Sequence, residues 1–342
     1  MSSPGAMPGT APSKLIMPSL RPSFARLCRQ PNPVQLLFWE SGDHRIVDAA
    51  AVLNETGSVK VLFLSDEQEP SRTIQDPGVT RPAILPVGEV VRVWREGPGS
   101  RASQPPRSRC ELAAAALAMH LVDAVVGGVA TSSADVLRAG LTFVGLMPGT
   151  RTVSIAGFVE PVAGSLAGRL LLMTDTGAVV DPTVDQFVDI VWNAIRAWTL
   201  VSNERPRVAF LSASTRGSSA AVPNVDRIRR AVEIVRASEG EFDIDGELQL
   251  DSAIVPGVAS AKGVAGAVAG CANILVFPGI DACNIGYKIA EHIGGALTAP
   301  VTQGFARSYH DVSRGAALAD LIGTCVMAAI MGSVPMASAR TA

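Results

Sequence analysis

The sequence predicts an α/β protein of two domains. Three observations lead there. Short apolar runs alternate with stretches of helical periodicity. Many of those runs are continuously apolar, as strands are in a parallel sheet covered by helices on both faces. The chain has 342 residues, more than one ordinary domain, and 48% of them are hydrophobic, so a large core can be buried.

The elements follow in order. Residues 1–18 are rich in Ser, Pro, Gly and Ala and read as a flexible tail. "VQLLFW" (34–39) is a buried strand, followed by "ESGDHR" and a helix, "IVDAAAVLNET". "VKVLFLSD" (59–66) is a second strand. "VDAVVGG" (122–128) leads through "VATSSADVLRAGL" into a helix, with Ser132 placed to cap it and Asp135 in its first turn. In "DPTVDQFVDIVWNAIRAW" Thr183 and Gln186 have the spacing of a capping box. "RVAFLSAS" (207–214) leads through "TRGSSAAVPN" into "VDRIRRAVEIVRAS". "ANILVFP" (272–278) leads through "GIDACN" into "IGYKIAEHI".

Bulk properties exclude several function classes. A net charge of −2 argues against a nucleic-acid or acidic-membrane surface. No apolar run is long enough for a membrane span, and no basic-then-apolar leader opens the chain. Cys28, Cys110, Cys271, Cys283 and Cys325 have no paired spacing and read as reduced thiols in a cytoplasm. The four histidines show no metal-ligand spacing, so no metal site is expected.

In parallel sheets ligands bind beyond the carboxyl ends of the strands. That singles out the loops 128–138, 212–219 and 279–288. The first offers Ser132, Ser133 and then Arg138 among apolar neighbours, an arginine that either meets an anion or snorkels at the surface. The second offers Ser214, Thr215 and Arg216, as an anion cradle or as an ordinary polar turn. The third offers Asn284 and Lys288. "GVAGAVAG" (263–270) lacks the dinucleotide glycine order and precedes a strand instead of following one.

The C-terminal run from Gly315 to Met331 is small and apolar, and Asp320 is its one charge. Read as a single helix with the preceding Ser313 and Arg314, it puts Ser313 and Asp320 at i and i+7 on one face, about 10 Å apart. Ser313 and Arg314 then fall in the first turn, where an anion is favoured.

The segments "DVLRAGLTFVGLMPGTRTVS", "LSASTRGSS", "FDIDGELQLDSAIVP", "ANILVFPGIDACNIGYKIAEHIGG" and "HDVSRG" together resemble the phosphate acetyl/butyryltransferase family, over about residues 19–335. The resemblance implies two α/β/α (Rossmann-like) domains with the active site in the cleft between them. The second domain, 148–304, would be inserted in the first, 19–147 plus 305–342. It implies reversible acetyl transfer between coenzyme A and inorganic phosphate, with acetyl-CoA and acetyl phosphate as partners, by direct thiolate attack in a ternary complex. A homodimer in the cytoplasm is implied, with coenzyme A as substrate and no permanently bound cofactor. Carried onto this chain, Asp320 is the thiol's base, Ser313 and Arg314 serve the acyl phosphate, and Arg138 and Arg95 contact coenzyme A or phosphate. Four departures touch ligand-facing loops: Cys283 where the family usually has Gly, His292 where many members have Arg, "ARSYHD" where the family is usually Pro- and Asn-rich, and residues 95–111, which lack the family's usual Lys/His-rich stretch. A larger acyl group, or a catalytically silent acyl-CoA-binding module, are the alternatives. The joint presence of Ser313, Arg314 and Asp320 disfavours the silent module.

Overall fold

The computed structural model of the chain describes residues 16–66, 83–96, 104–219, 222 and 224–334. Most of the expected N-terminal tail and part of the segment 95–111 lie outside them. The end of that tail is described, and it is not loose. Ile16 and Met17 are buried, each 3% exposed, because a core within reach removes their apolar surface from water.

The chain opens with α1 (Arg21–Leu27), β1 (Val34–Phe38) and α2 (His44–Glu55). Asp43 caps α2 by accepting from the Arg45 N–H at 2.9 Å. Next come β2 (Val59–Ser65), β3 (Ala83–Pro86), α3 (Val87–Glu96), α4 (Arg109–Ala118), β4 (Ala124–Gly127) and α5 (Ser133–Ala139). A hairpin of β5 (Ser154–Glu160) and β6 (Leu171–Thr174) precedes α6 (Val184–Val201). Thr183 and Gln186 form the expected capping box on α6. Then follow β7 (Arg207–Leu211), α7 (Val225–Arg236), β8 (Asp243–Leu248), α8 (Leu250–Ile254), α9 (Pro256–Ala261), β9 (Ile274–Val276), α10 (Ile280–Lys288), β10 (Leu297–Gln303), β11 (Ser308–Asp311) and α11 (Leu318–Gly332).

Among the described residues the strands form two sheets, β11-β4-β1-β2-β3 and β10-β5-β6-β9-β7-β8. The first is wholly parallel. The second is mixed: β5 runs antiparallel to both β10 and β6. The even alternation of strands and helices did not anticipate this. The physical reason is the connection: only an antiparallel pair can be joined without a crossover helix, and the short segment 161–170 joins β5 to β6.

The chain passes between the sheets twice, and the two passes run side by side. The Met147 N–H donates to Gly304 O and the Ala306 N–H to Gly145 O, both at 2.9 Å. One apolar core spans both sheets. It holds Leu36, Phe38 and Val126 from the first, Phe158, Val276 and Val301 from the second, and Leu321, Cys325 and Met327 of α11 between them. Among the described residues no helix is long and apolar enough to cross a membrane.

Candidate active site

Two corrections to the reading of the C-terminal segment come first. Ser313 and Arg314 do not lie in α11; they sit in an exposed turn before it, and the helix starts at Leu318. The i, i+7 face between Ser313 and Asp320 therefore does not exist. Asp320 stands in the first turn of α11 and bends back on that turn, its Oδ2 accepting from the Ala317 N–H at 3.0 Å. An orphan helix N–H gains a charged partner, which small apolar residues in a turn cannot supply themselves.

Asp320 is buried, whereas Ser313 and Arg314, in the turn that precedes its helix, are exposed. Its Oδ1 accepts from Thr298 Oγ1 at 2.5 Å, a contact reaching it from β10. Burial pushes its carboxyl above the usual aspartate range. The Thr298 and Ala317 bonds pull the other way, and nearby Glu291 and Lys288 oppose each other. Lys288 pairs with Glu291 at 2.5 Å.

The turn that carries Ser313 and Arg314 is held from below. Arg45 Nη1 donates to Arg314 O and Ala316 O, both at 2.9 Å, while its other nitrogens hold Asp43. Beside it, at the carboxyl end of the first sheet, lies Asp311, 5% exposed. Burial raises Asp311 to about 6, the Ser133 hydroxyl opposes the shift, and the charge of Glu40 adds to it. Gly128 is needed there: its φ is +107°, and a Cβ would stand 2.2 Å from Asp311 Oδ1.

The loop after β4 is an anion cradle, but its anion is internal. Glu40, two residues beyond β1, accepts from the N–H groups of Gly128, Val129 and Ala130 at 2.7–2.9 Å and from Thr131 Oγ1 at 2.6 Å. Ser132 caps α5 as expected, its Oγ accepting from the Asp135 N–H at 3.2 Å. Arg138 pairs with Asp135 at 2.6 Å at the surface, where its side chain is 70% exposed. It is not drawn inward by its apolar neighbours.

The loop 212–219 is filled in the same manner. Glu247 accepts from Ser214 Oγ, from the Gly217 N–H and from Arg229. Burial would raise its pKa, but these donors hold it down at about 2. Arg216 pairs with Asp245 at 2.7 Å and lines a surface cavity of about 400 Å³ beside β8. Thr215 Oγ1 accepts from the Gln249 N–H at 2.9 Å.

The structure brings Asp320, Ser313, Arg314, Ser132, Ser133 and Lys288 toward one region, where the carboxyl end of the first sheet meets the edge strand β10. Ser214, Thr215 and Arg216 are elsewhere. They follow β7, four strand positions from β10, roughly 19 Å away. They also lie at the opposite end, because Thr298 is level with the amino ends of β6 and β9. The stretch 279–288 is helix, not loop. Asn284 faces Thr176 O at 2.9 Å, and Cys283, fully buried on α10, packs into the core instead of altering a turn. Arg95 is exposed in the last turn of α3, next to the edge strand β3 furthest from β11. Thr298, Tyr287, Glu291, Glu40, Arg45 and Asp311 were missed. Glu40 and Asp311 carry a signal, an acid just past an apolar strand. Thr298 carries none, since a threonine in an apolar strand looks like any core position.

Among the described residues no group of three or more His, Cys, Asp or Glu is placed to hold a metal ion. Residues 97–329 match the family described as phosphate acetyl/butaryl transferase. A phosphate acetyltransferase of Acetivibrio thermocellus is 30% identical over 85% of this chain and 92% of its own length. One from Paracoccus denitrificans is 32% identical with the same coverage of both chains. Among solved structures, a phosphotransacetylase from Streptococcus pyogenes superposes with TM-score 0.77 at 28% identity, covering 92% of this chain and 98% of its own. A Staphylococcus aureus phosphotransacetylase gives 0.78 at 26% identity, covering 95% of this chain and 100% of its own. The α/β fold, the matched length and the sequence identity agree: this chain belongs to the phosphate acetyl/butaryl transferase family.

Proposed function

We propose that this chain catalyses the reversible transfer of an acetyl group between coenzyme A and inorganic phosphate. The observation that carries the reading is Asp320, a buried carboxylate of raised pKa at the start of the helix that follows the exposed turn of Ser313 and Arg314. A free thiol has a pKa of about 8.5, so a carboxylate in water is a poor base for it. Burial narrows that gap.

In the forward step Asp320 takes the proton from the coenzyme A thiol. The thiolate attacks the carbonyl carbon of acetyl phosphate, a C–S bond forms, and the C–O bond to phosphate breaks. Phosphate leaves and takes up the proton held by Asp320. Ser313 donates to the negative charge that develops on the carbonyl oxygen, and the planar guanidinium of Arg314 holds the phosphoryl group. No acyl-enzyme is needed. Coenzyme A acts as a substrate, and no resident cofactor enters the step. Of the remaining candidates, Ser132, Ser133 and Lys288 would border the region in which coenzyme A and phosphate lie, and Arg138, exposed on α5, would reach it from the surface.

The two sheets would mark two lobes, 148–304 inserted into 19–147 plus the C-terminal segment from 305. The active unit would be a cytoplasmic homodimer. Its support is an apolar stripe on α10 and the helical turn that continues it: Ile285, Ile289 and Ile293 are 59%, 50% and 82% exposed at intervals of four residues.

Thioester absorbance, followed with coenzyme A and acetyl, propionyl or butyryl phosphate, tests the activity. Turnover of acetyl phosphate is expected to exceed that of the longer acyl phosphates. No turnover of any of them would overturn the reading.

A further inference from the structure

We infer that Thr298 is a positioning residue for the base, its hydroxyl donating the hydrogen bond that orients Asp320. The inference rests on Asp320 being the base proposed above.

The geometry begins with the packing of α11 on β10. Asp320, Gly323 and Thr324 lie at i, i+3 and i+4, so they share one helix face. Gly323 allows the close approach: a Cβ there would sit 3.0 Å from Ala299 Cβ and 3.1 Å from Thr298 O. One residue on, Thr324 Oγ1 donates to Pro300 O at 2.9 Å. These contacts fix the height of α11 against β10. One turn earlier they present the Asp320 carboxylate to Thr298, at 2.5 Å between Oγ1 and Oδ1.

Thr298 is 3% exposed, so its hydroxyl has few partners to choose from. Its O–H points at Asp320, whose ionised carboxylate can only accept. A directed donor of this kind does two things to a carboxylate. It fixes the plane of the group, and it stabilises the charged form against burial.

Both carboxylate oxygens then have one fixed donor, Thr298 on Oδ1 and the Ala317 N–H on Oδ2. Each keeps a lone pair for the thiol proton. The charged groups facing Asp320 are Glu291 and Lys288, from the helical segment that includes Tyr287. From β10, the Thr298 and Pro300 contacts bring no charge.

The test is the pH profile of kcat for Thr298→Val, which keeps the shape and removes the hydroxyl. Without the donor, the Asp320 carboxyl moves further up, so the acidic limb of kcat shifts to higher pH. The freed carboxylate also lowers the plateau, by about tenfold to a hundredfold, as expected when a reacting group loses its orientation. The KM for coenzyme A stays within about twofold. Thr298→Ser restores both the limb and the plateau. A purely structural Thr298 would lower thermal stability in the Val variant without moving the limb. A Thr298→Val enzyme with the wild-type limb and plateau overturns the inference while the base assignment stands. An Asp320→Asn enzyme of full activity overturns the base assignment itself.

Discussion

At the scale of single residues, Asp320 is the position where folding and chemistry conflict. Burial disfavours its charge, yet the proposed reaction needs that charge. Its folded pKa is raised, so the folded chain binds this proton more tightly than the unfolded one. Stability therefore falls as pH rises from the ordinary aspartate value through the raised one, and the penalty persists above it. Asp320→Asn removes the penalty but can accept only one of the two bonds from Thr298 and Ala317. The net change in unfolding free energy is expected within about 1 kcal/mol, with the melting temperature equal or higher. kcat should fall about 100-fold or more, with coenzyme A binding nearly unchanged. Melting curves and steady-state kinetics on the same preparation check this. A variant that loses stability but keeps full activity per folded molecule would make Asp320 structural.

At the scale of elements, two contacts decide how α11, β10 and β11 fit together. The first is His310 on β11, fully buried. Its Nδ1 accepts from the Thr302 N–H of β10 at 3.1 Å, so Nε2 carries the proton and donates to Ser308 Oγ at 2.8 Å. Ser308 in turn donates to Ala328 O of α11. Burial drives His310 down to about 3, so the folded state keeps it neutral while a free histidine charges near 6.5. The unfolded chain then binds the extra proton. Stability is full above pH 6.5 and is lost as pH falls toward 3, by roughly 1.4 kcal/mol per unit. His310→Asn, whose Oδ1 can still accept from Thr302, should flatten that slope in urea titrations at pH 7 and pH 5. An unchanged slope would place the acid sensitivity elsewhere. The second contact is Gly323. Gly323→Val drives side-chain atoms into Ala299 and Thr298, at a cost of about 1–3 kcal/mol, and tilts the helix start that carries Asp320. Stability and kcat should fall together. A loss of stability alone would mean that the helix start does not move.

At the scale of the molecule, the two sheets share one core through α6 and α11, so the proposed lobes are bound by apolar packing as well as by the paired crossings at Met147–Gly304 and Gly145–Ala306. The stripe of Ile285, Ile289 and Ile293 is an apolar face left outside that core. If it joins two copies, sedimentation equilibrium should give twice the mass of one chain, and Ile289→Glu should give single chains at micromolar concentration. A wild-type chain that sediments as a monomer there would remove the dimer.

The sequence by itself determined what depends on local pattern. Apolar runs gave the strands Val34–Phe38, Val59–Ser65 and Arg207–Leu211, and the spacing of Thr183 and Gln186 gave the start of α6, because these signals act within a few residues of the chain. Residue types in order along "HDVSRGAALAD" marked Asp320, Ser313 and Arg314. Tertiary structure decided what depends on partners far along the chain. It delayed the start of the expected helix to Leu318, because the 313–317 segment is held as a turn by Arg45, some 270 residues away. It filled both candidate cradles with Glu40 and Glu247, carboxylates that no local pattern ties to those loops. It set Ser214, Thr215 and Arg216 apart from Asp320, because strand order in a sheet is not readable from strand order in the chain. And it joined Thr298 to Asp320 across 22 residues, since a hydrogen bond needs two groups brought together in space and the sequence states only which groups exist.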